Sequence, residues 1–333
     1  MFNIKVQNET ILNDKETLLY IIKQHMGDKN IDLFIDESPA LENVMLGQTT
    51  LIEWLTDFCE KFSVPKERIK IKIENLVQQN VWPNIQRCYG SIDVFHGQDI
   101  DFECNKKILY NTSIFIGGSR WPRLALASYI YKFHRKSSLM TYWQHLKDNN
   151  QPAYLYLDDL LKHVDVDSEL IERCCDFIDQ LPIHIEESDL VQNNNGGFIN
   201  FTEAYDLCKY YNSIFCDVVC ETVHNGTTFA FTEKIARCWL TKTPFLVFGP
   251  RNYLQNLKRL GFLTFDKFWN EDYDGLDNKN RIVFMQRQID YISSLDIKKL
   301  ESIYFGDEMQ DILRNNYEVF MELDQPTIEK VFI

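Results

Sequence analysis

The sequence predicts an α/β protein built on parallel sheets and divided into two domains, and three observations lead there. The chain has 333 residues, which at roughly 100–200 residues per domain suits two medium domains better than one. Short apolar runs alternate with segments of helical periodicity, the order that produces βαβ units and parallel strands. The composition is 45% hydrophobic and 14% aromatic, enough apolar side chain to fill a sizeable core.

The elements can be justified in turn. Ile31-Asp32-Leu33-Phe34-Ile35 reads as the first strand, closed by Asp36-Glu37-Ser38-Pro39. Leu51, Leu55, Phe58 and Phe62 recur at helical spacing, which gives a helix one apolar face. Arg68-Ile69-Lys70-Ile71-Lys72-Ile73 alternates with period two and reads as a strand, and residues 92–95 form another short one. A boundary near Asn111 separates residues 1–110 from residues 111–333, with the final helices free to pack back on the first domain. The second half opens with the strand Ser113-Ile114-Phe115-Ile116, the pair Gly117-Gly118 and a helix that starts around Pro122, where proline's missing N–H costs little. Residues 202–211 read as a helix leading into the strand Cys216-Asp217-Val218-Val219-Cys220-Glu221. A turn at Gly226 precedes a helix over residues 232–240, with Ile235 and Trp239 on one face. Phe245-Leu246-Val247-Phe248 is the next strand, ending at Gly249-Pro250. A short helix then stops at Gly261, a favourable left-handed cap. Ile282, Met285, Ile289 and Ile292 mark a long late helix. Residues 192–197, Gln-Asn-Asn-Asn-Gly-Gly, read as a flexible loop inside the second domain.

Charge and cysteine usage bound the setting. The formal net charge is −14, whereas proteins that live on nucleic acid carry a basic footprint; only the local runs Lys66, Arg68, Lys70, Lys72 and Lys132, Arg135, Lys136 are basic, and such runs are mostly solvated faces. Nine scattered cysteines, with Cys174 and Cys175 adjacent, read as reduced thiols of a cytoplasmic chain. Met1-Phe2-Asn3-Ile4-Lys5 lacks the basic-then-apolar order of a signal peptide. No stretch approaches the roughly 18 apolar residues of a membrane span.

Three groups of residues can carry chemistry. Glu221 falls at the carboxyl end of a predicted strand, where ligands of open α/β sheets bind. Thr232-Glu233-Lys234 opens the next helix, whose free N–H groups favour an anion; there a lysine can hold a phosphate and a carboxylate can accept both hydroxyls of a ribose. The plainer reading makes Thr232 a cap, Glu233 a complement to the helix dipole and Lys234 a solvated side chain. Arg120 and Arg123 sit where a strand meets a helix, after two glycines that let backbone approach a ligand. An arginine there can grip a pyrophosphate bidentately; the alternative is a surface helix start. Asp36 and Glu37 end the first strand. Asp165-Val166-Asp167 has the Asp-x-Asp spacing of metal-dependent transferases, but Asp167 also suits the cap of the helix beginning at Ser168. Cys216 and Cys220 have no partner pair at zinc spacing and read as core thiols.

The stretch from 201 to 273 resembles the donor-binding half of the fucosyltransferase-like glycosyltransferases, a family also common in phage and bacterial genomes. The resemblance is carried in order by Tyr211-Asn212-Ser213-Ile214-Phe215, Val219-Cys220-Glu221-Thr222, Phe231-Thr232-Glu233-Lys234, Pro244-Phe245-Leu246-Val247-Phe248-Gly249, Leu260-Gly261-Phe262-Leu263-Thr264-Phe265 and Asn270-Glu271-Asp272-Tyr273-Asp274. Arg237-Cys238 stands where the family often has Lys-Pro. The resemblance implies two Rossmann-like domains facing a cleft, the GT-B architecture. It implies that Glu233 holds the ribose of a nucleotide diphosphate-sugar and Lys234 its phosphates, that an arginine in the Arg120-Trp121-Pro122-Arg123 segment binds the diphosphate, and that a glutamate just after a first-domain strand is the base. Glu37 is that glutamate, with Asp36, Asp93 and His96 behind it.

The expected activity is therefore transfer of a sugar from a nucleotide diphosphate-sugar to a hydroxyl acceptor, inverting and without a metal or other cofactor. The acceptor would be a glycan, a lipid-linked sugar or a modified DNA base. Two alternatives stand beside it: a non-catalytic nucleotide-sugar or glycan-binding module, and a metal-dependent transferase using Asp165 and Asp167.

Overall fold

The computed structural model describes residues 2–5, 33–36, 45–46, 49–73, 85–87, 105–142, 154–164, 168–185, 207–222, 224 and 229–332. The chain divides into two compact units, one of residues 1–94, 225–230 and 323–333, the other of residues 95–224 and 231–322.

The first unit contains β1 (Phe2–Lys5), β2 (Leu33–Asp36), β3 (Met45–Leu46), β4 (Thr49–Thr50), α1 (Leu51–Phe62), β5 (Ile69–Ile73) and β6 (Ile85–Arg87). Its main sheet has the order β1-β2-β5-β6 with every pair parallel. The helical spacing read in the sequence is that of α1, which buries Leu55, Phe58 and Cys59. The alternating Ile-Lys run is β5, in register with β2 through Leu33 and Ile69. Glu37 follows the last residue of β2 and lies outside the described residues, as do Asp93, His96, the expected strand at residues 92–95, Asp165, Asp167 and the Asn-rich loop at residues 192–197.

The second unit is a parallel sheet with helices following its strands. In chain order it runs β7 (Tyr110–Ile116), α2 (Trp121–His134), β8 (Ser138–Tyr142), α3 (Tyr154–His163), α4 (Ser168–Ile178), α5 (Cys208–Tyr211), β9 (Ile214–Cys220), α6 (Glu233–Leu240), β10 (Phe245–Phe248), α7 (Tyr253–Arg259), α8 (Asn278–Ser294), α9 (Ile297–Tyr304) and α10 (Asp307–Glu322). A last helix, α11 (Gln325–Phe332), belongs to the first unit, where Phe332 meets Phe229 with ring centroids 5.5 Å apart. Among the described residues no helix is long and apolar enough to cross a membrane.

The strand order in the second unit is β10-β9-β7-β8, all parallel. All seven residues of β9, all five of β8 and all four of β10 are buried, the pattern of a sheet covered on both faces. The buried residues include Cys216 and Cys220 on β9 and Cys238 on α6, all free thiols. A carboxylate on β9 lies in this interior. Asp217 is 2% exposed and accepts hydrogen bonds from the Ser113 hydroxyl (2.5 Å) and the Tyr211 hydroxyl (2.7 Å), so its polar atoms are satisfied where water is absent. Turn chemistry follows the sequence closely. Gly261 has φ 93°, and the Phe262 amide reaches back to the Leu257 carbonyl at 3.1 Å, closing α7 as a left-handed cap. Asp277 caps α8 by accepting from the Asn280 amide.

The order of these strands determines where a ligand can enter. β7 comes first, β8 adds on one side of it, and the chain then returns to place β9 on the other side. The loops leaving the carboxyl ends of β7 and β9 therefore run to opposite sides, and such a switch point is where ligands of open α/β sheets bind.

Candidate binding site at the switch point

Two loops and two helix starts frame the switch point. From β7 the chain runs through Gly117 to Arg120 into α2, with Pro122 in the first turn as the sequence predicts. From β9 it passes Glu221 and Thr222 and re-enters the described residues before α6. Thr232 is the N-cap of α6, extended at φ −117°, and its hydroxyl accepts from the Lys234 amide, satisfying one of the helix's free donors.

Glu221, the first residue beyond β9, is 1% exposed. Its Oε2 accepts from the Thr232 hydroxyl at 2.5 Å, and its Oε1 from the Thr232 amide at 3.3 Å and the Tyr253 hydroxyl at 3.0 Å. The sequence singles out Glu221 for a ligand, whereas the structure spends both its oxygens on holding the start of α6. Burial raises its pKa, against the pull of Lys234 and the Thr232 bonds. Tyr253 reaches it because residue 249 is glycine: a Cβ there would lie 2.5 Å from the Tyr253 ring. Tyr253 carries no local sequence signal for this part, since its partner is 32 residues away.

Lys234 and Glu233 pair with each other. The ammonium donates to Glu233 Oε1 at 2.5 Å, to the Thr222 hydroxyl at 3.1 Å and to the Thr232 hydroxyl at 3.4 Å. Burial holds the ammonium below its usual range against the pull of Glu233. Burial also opposes the charge on Glu233, yet Lys234 and Arg237 overcome it and draw the carboxyl down to about 2.

Arg123 is only 6% exposed. Its Nη1 donates to the Gly118 carbonyl at 2.6 Å and its Nη2 to the Cys220 carbonyl at 3.4 Å, tying the ends of β7 and β9 together. Its Nε is buried and has no hydrogen-bond partner among the described residues. Among the described residues no carboxylate is hydrogen-bonded to this guanidinium. Arg120 is half-buried, with Nη1 on the Ser119 carbonyl at 3.4 Å. Between the two arginines, Trp121 is 1% exposed, stacked on His163 at 4.6 Å with His224 and Phe248 at its edges. Burial and the charge of Arg123 push His224 down to about 3, so its imidazole is neutral at ordinary pH, and its Nδ1 faces the Thr222 carbonyl at 3.2 Å.

Of the residues named from sequence, the structure thus brings Arg123, Glu221, Thr232, Glu233 and Lys234 to one sheet edge, with Arg120 at the start of α2. The basic run Lys132, Arg135 and Lys136 lies at the other end of α2, and Lys132 pairs with Asp176 at 3.5 Å. No protein-family model matches the chain, and neither the curated proteins nor the solved structures contain a match to it.

Proposed function

We propose that the chain is a fucosyltransferase-like glycosyltransferase of GT-B architecture that takes a nucleotide diphosphate-sugar as donor and a hydroxyl as acceptor, inverting the anomeric centre without a metal. The observation that carries this reading is the pair of cations at the switch point. Arg123 comes from the helix after β7 and Lys234 from the helix after β9, and the buried Nε of Arg123 has no partner among the described residues. Two fixed cations beside two helix N-termini form a receptor for a diphosphate. The ordered resemblance of residues 201–273 to the family's donor-binding half supports the nucleotide, and the parallel sheet in each unit is compatible with Rossmann-like domains.

In this mechanism Arg123 and Lys234, with Arg120 beside them, neutralise the diphosphate as the bond from its oxygen to the sugar's anomeric carbon breaks and the electron pair leaves with the phosphate. The acceptor oxygen forms the new bond on the opposite face, and its proton passes to a carboxylate, Glu37. Glu233 accepts hydroxyls of the donor ribose. The acceptor class is a glycan, a lipid-linked sugar or a modified DNA base.

Thermal stabilisation by a panel of nucleotide sugars tests the reading first, because a ligand that binds the folded state raises its melting temperature. At least one nucleoside diphosphate-sugar should stabilise the protein, and Lys234→Ala should remove the shift. Transfer should then persist in chelator, and Glu37→Gln should lower turnover about 100-fold with donor affinity retained. A chain that no nucleotide sugar stabilises is not such an enzyme. Donor binding without turnover on any acceptor would make it a binding module, and activity lost in chelator and restored by manganese would favour Asp165 and Asp167.

A further inference from the structure

We infer that Glu233 makes this site selective for ribonucleotides over bare phosphate, by occupying Lys234 until the hydroxyls of a ribose engage the carboxylate in its place. The inference rests on the nucleotide reading of the switch point and adds to it a reason why a free anion is a poor ligand.

The argument starts from the ammonium. A lysine has three donor hydrogens, and Lys234 has three acceptors within reach: Glu233 Oε1, the Thr222 hydroxyl and the Thr232 hydroxyl. Its charge is already neutralised by a carboxylate at 2.5 Å in a poorly solvated place, the two side chains being 14% and 24% exposed. Glu233 remains ionised throughout the working pH range, since its carboxyl is drawn down to about 2. A phosphate approaching Lys234 must displace this carboxylate and leave it half-buried beside a second anion. Losing a partner costs a charged group far more than losing a neutral contact.

A ribonucleotide changes the exchange. It presents phosphate oxygens for Lys234 and, a few bonds away, two vicinal hydroxyls that can donate to Glu233. Both members of the ion pair then find new partners in one event. Inorganic phosphate and pyrophosphate offer only the first half, and a dideoxynucleotide lacks the donors for the second. Arg123 cannot supply this discrimination, because its hydrogen bonds go to backbone carbonyls and, among the described residues, no carboxylate is hydrogen-bonded to it.

Calorimetric titration of the full chain at fixed ionic strength tests the idea, with inorganic pyrophosphate, the ribonucleoside diphosphates of the four RNA bases and their 2′,3′-dideoxy forms as probes. Glu233→Gln keeps the shape and removes the charge. It should bind pyrophosphate about tenfold tighter than the unaltered protein and should lose about tenfold of the preference for ribo over dideoxy. Glu233→Ala should shift pyrophosphate in the same direction, which guards against a fold-specific failure of one variant. Adding Lys234→Gln to Glu233→Gln should abolish the gain. Equal pyrophosphate affinity in the unaltered protein and both Glu233 variants overturns the inference while leaving an anion site standing. So does an unaltered protein that binds ribo and dideoxy forms alike. Absence of binding by every probe in every variant overturns the nucleotide reading itself.

Discussion

Arg123 and Lys234 lie at the same sheet edge and carry the same charge, yet they are held in opposite ways. Arg123 is bound to carbonyl oxygens at the ends of two strands, so its position is part of the sheet, and among the described residues no carboxylate is hydrogen-bonded to it. Lys234 is bound to its own sequence neighbour and two hydroxyls, so its charge is spoken for and its position depends on the start of α6. A planar guanidinium can bridge two backbone acceptors and still offer an edge, whereas a compact ammonium is easily satisfied by one carboxylate. Under the proposed nucleotide reading, the pairing of a fixed cation with a neutralised one divides the labour, Arg123 attracting the anion and Lys234 responding to what the anion is attached to.

The largest effect should come from Arg123→Ala. Besides losing donor binding, it leaves the Gly118 and Cys220 carbonyls without their donor in a dry site, and should lower unfolding free energy by about 2–4 kcal/mol. Arg123→Lys should not rescue donor binding, because an ammonium cannot span both acceptors. Denaturant melts and calorimetry measure the two losses separately; a fully stable Arg123→Ala protein would break the claim that this cation belongs to the sheet.

Lys234→Ala should weaken nucleotide binding by about 1.5–3 kcal/mol, the scale of a hydrogen bond to a charged group, with less effect on the melting midpoint than Arg123→Ala. The reverse ranking of the two midpoints would invert the comparison. Tyr253→Phe should cost about 1–2 kcal/mol of stability by removing a buried hydroxyl donor from Glu221, and should weaken nucleotide binding through the start of α6. Combining it with Glu221→Gln tests whether the two act as one unit, since coupled residues are not additive.

The smallest effect is a pH dependence. Burial lowers the Lys234 pKa, so its ammonium loses its proton at a lower pH than an ordinary lysine. In the proposed function the charged form is the one that binds phosphate, so nucleotide affinity should be flat near neutrality and fall as pH rises into the alkaline range, by at most about tenfold per pH unit. Lys234→Arg should remove the fall, because arginine keeps its charge there. An affinity that stays level in the unaltered protein would mean that Lys234 contributes nothing at the binding step.

Much of this arrangement was legible in the sequence where local chemistry decides it. Thr232 as a cap, Pro122 in the first turn of α2, Gly261 in the left-handed region and the apolar face of α8 all depend on a few neighbouring residues. β8 was not read: Ser-Leu-Met-Thr-Tyr is short and buried throughout, so it lacks an alternating pattern. The relations inside the site were hidden for a different reason. Arg123 is positioned by backbone carbonyls, which any sequence supplies. Tyr253 meets Glu221 only after two strands have paired. Adjacent residues on a helix do not face each other, so the ion pair between Glu233 and Lys234 arises from the geometry at the first turn of α6 and not from spacing.

The buried thiols of β9 and α6 have a use beyond packing. Cys216 and Cys238 are fully buried and Cys220 is 3% exposed, and burial pushes all three thiols well up. An alkylating reagent attacks only the thiolate, and only once the layer over it has parted. The rate of their modification is therefore a clock for transient opening of the sheet. Cys220 supplies the carbonyl that Arg123 grips, so an anion that tightens that grip should slow the clock at Cys220 more than at Cys216, and mass spectrometry of the two peptides would show how far a bound ligand's rigidity spreads along one strand.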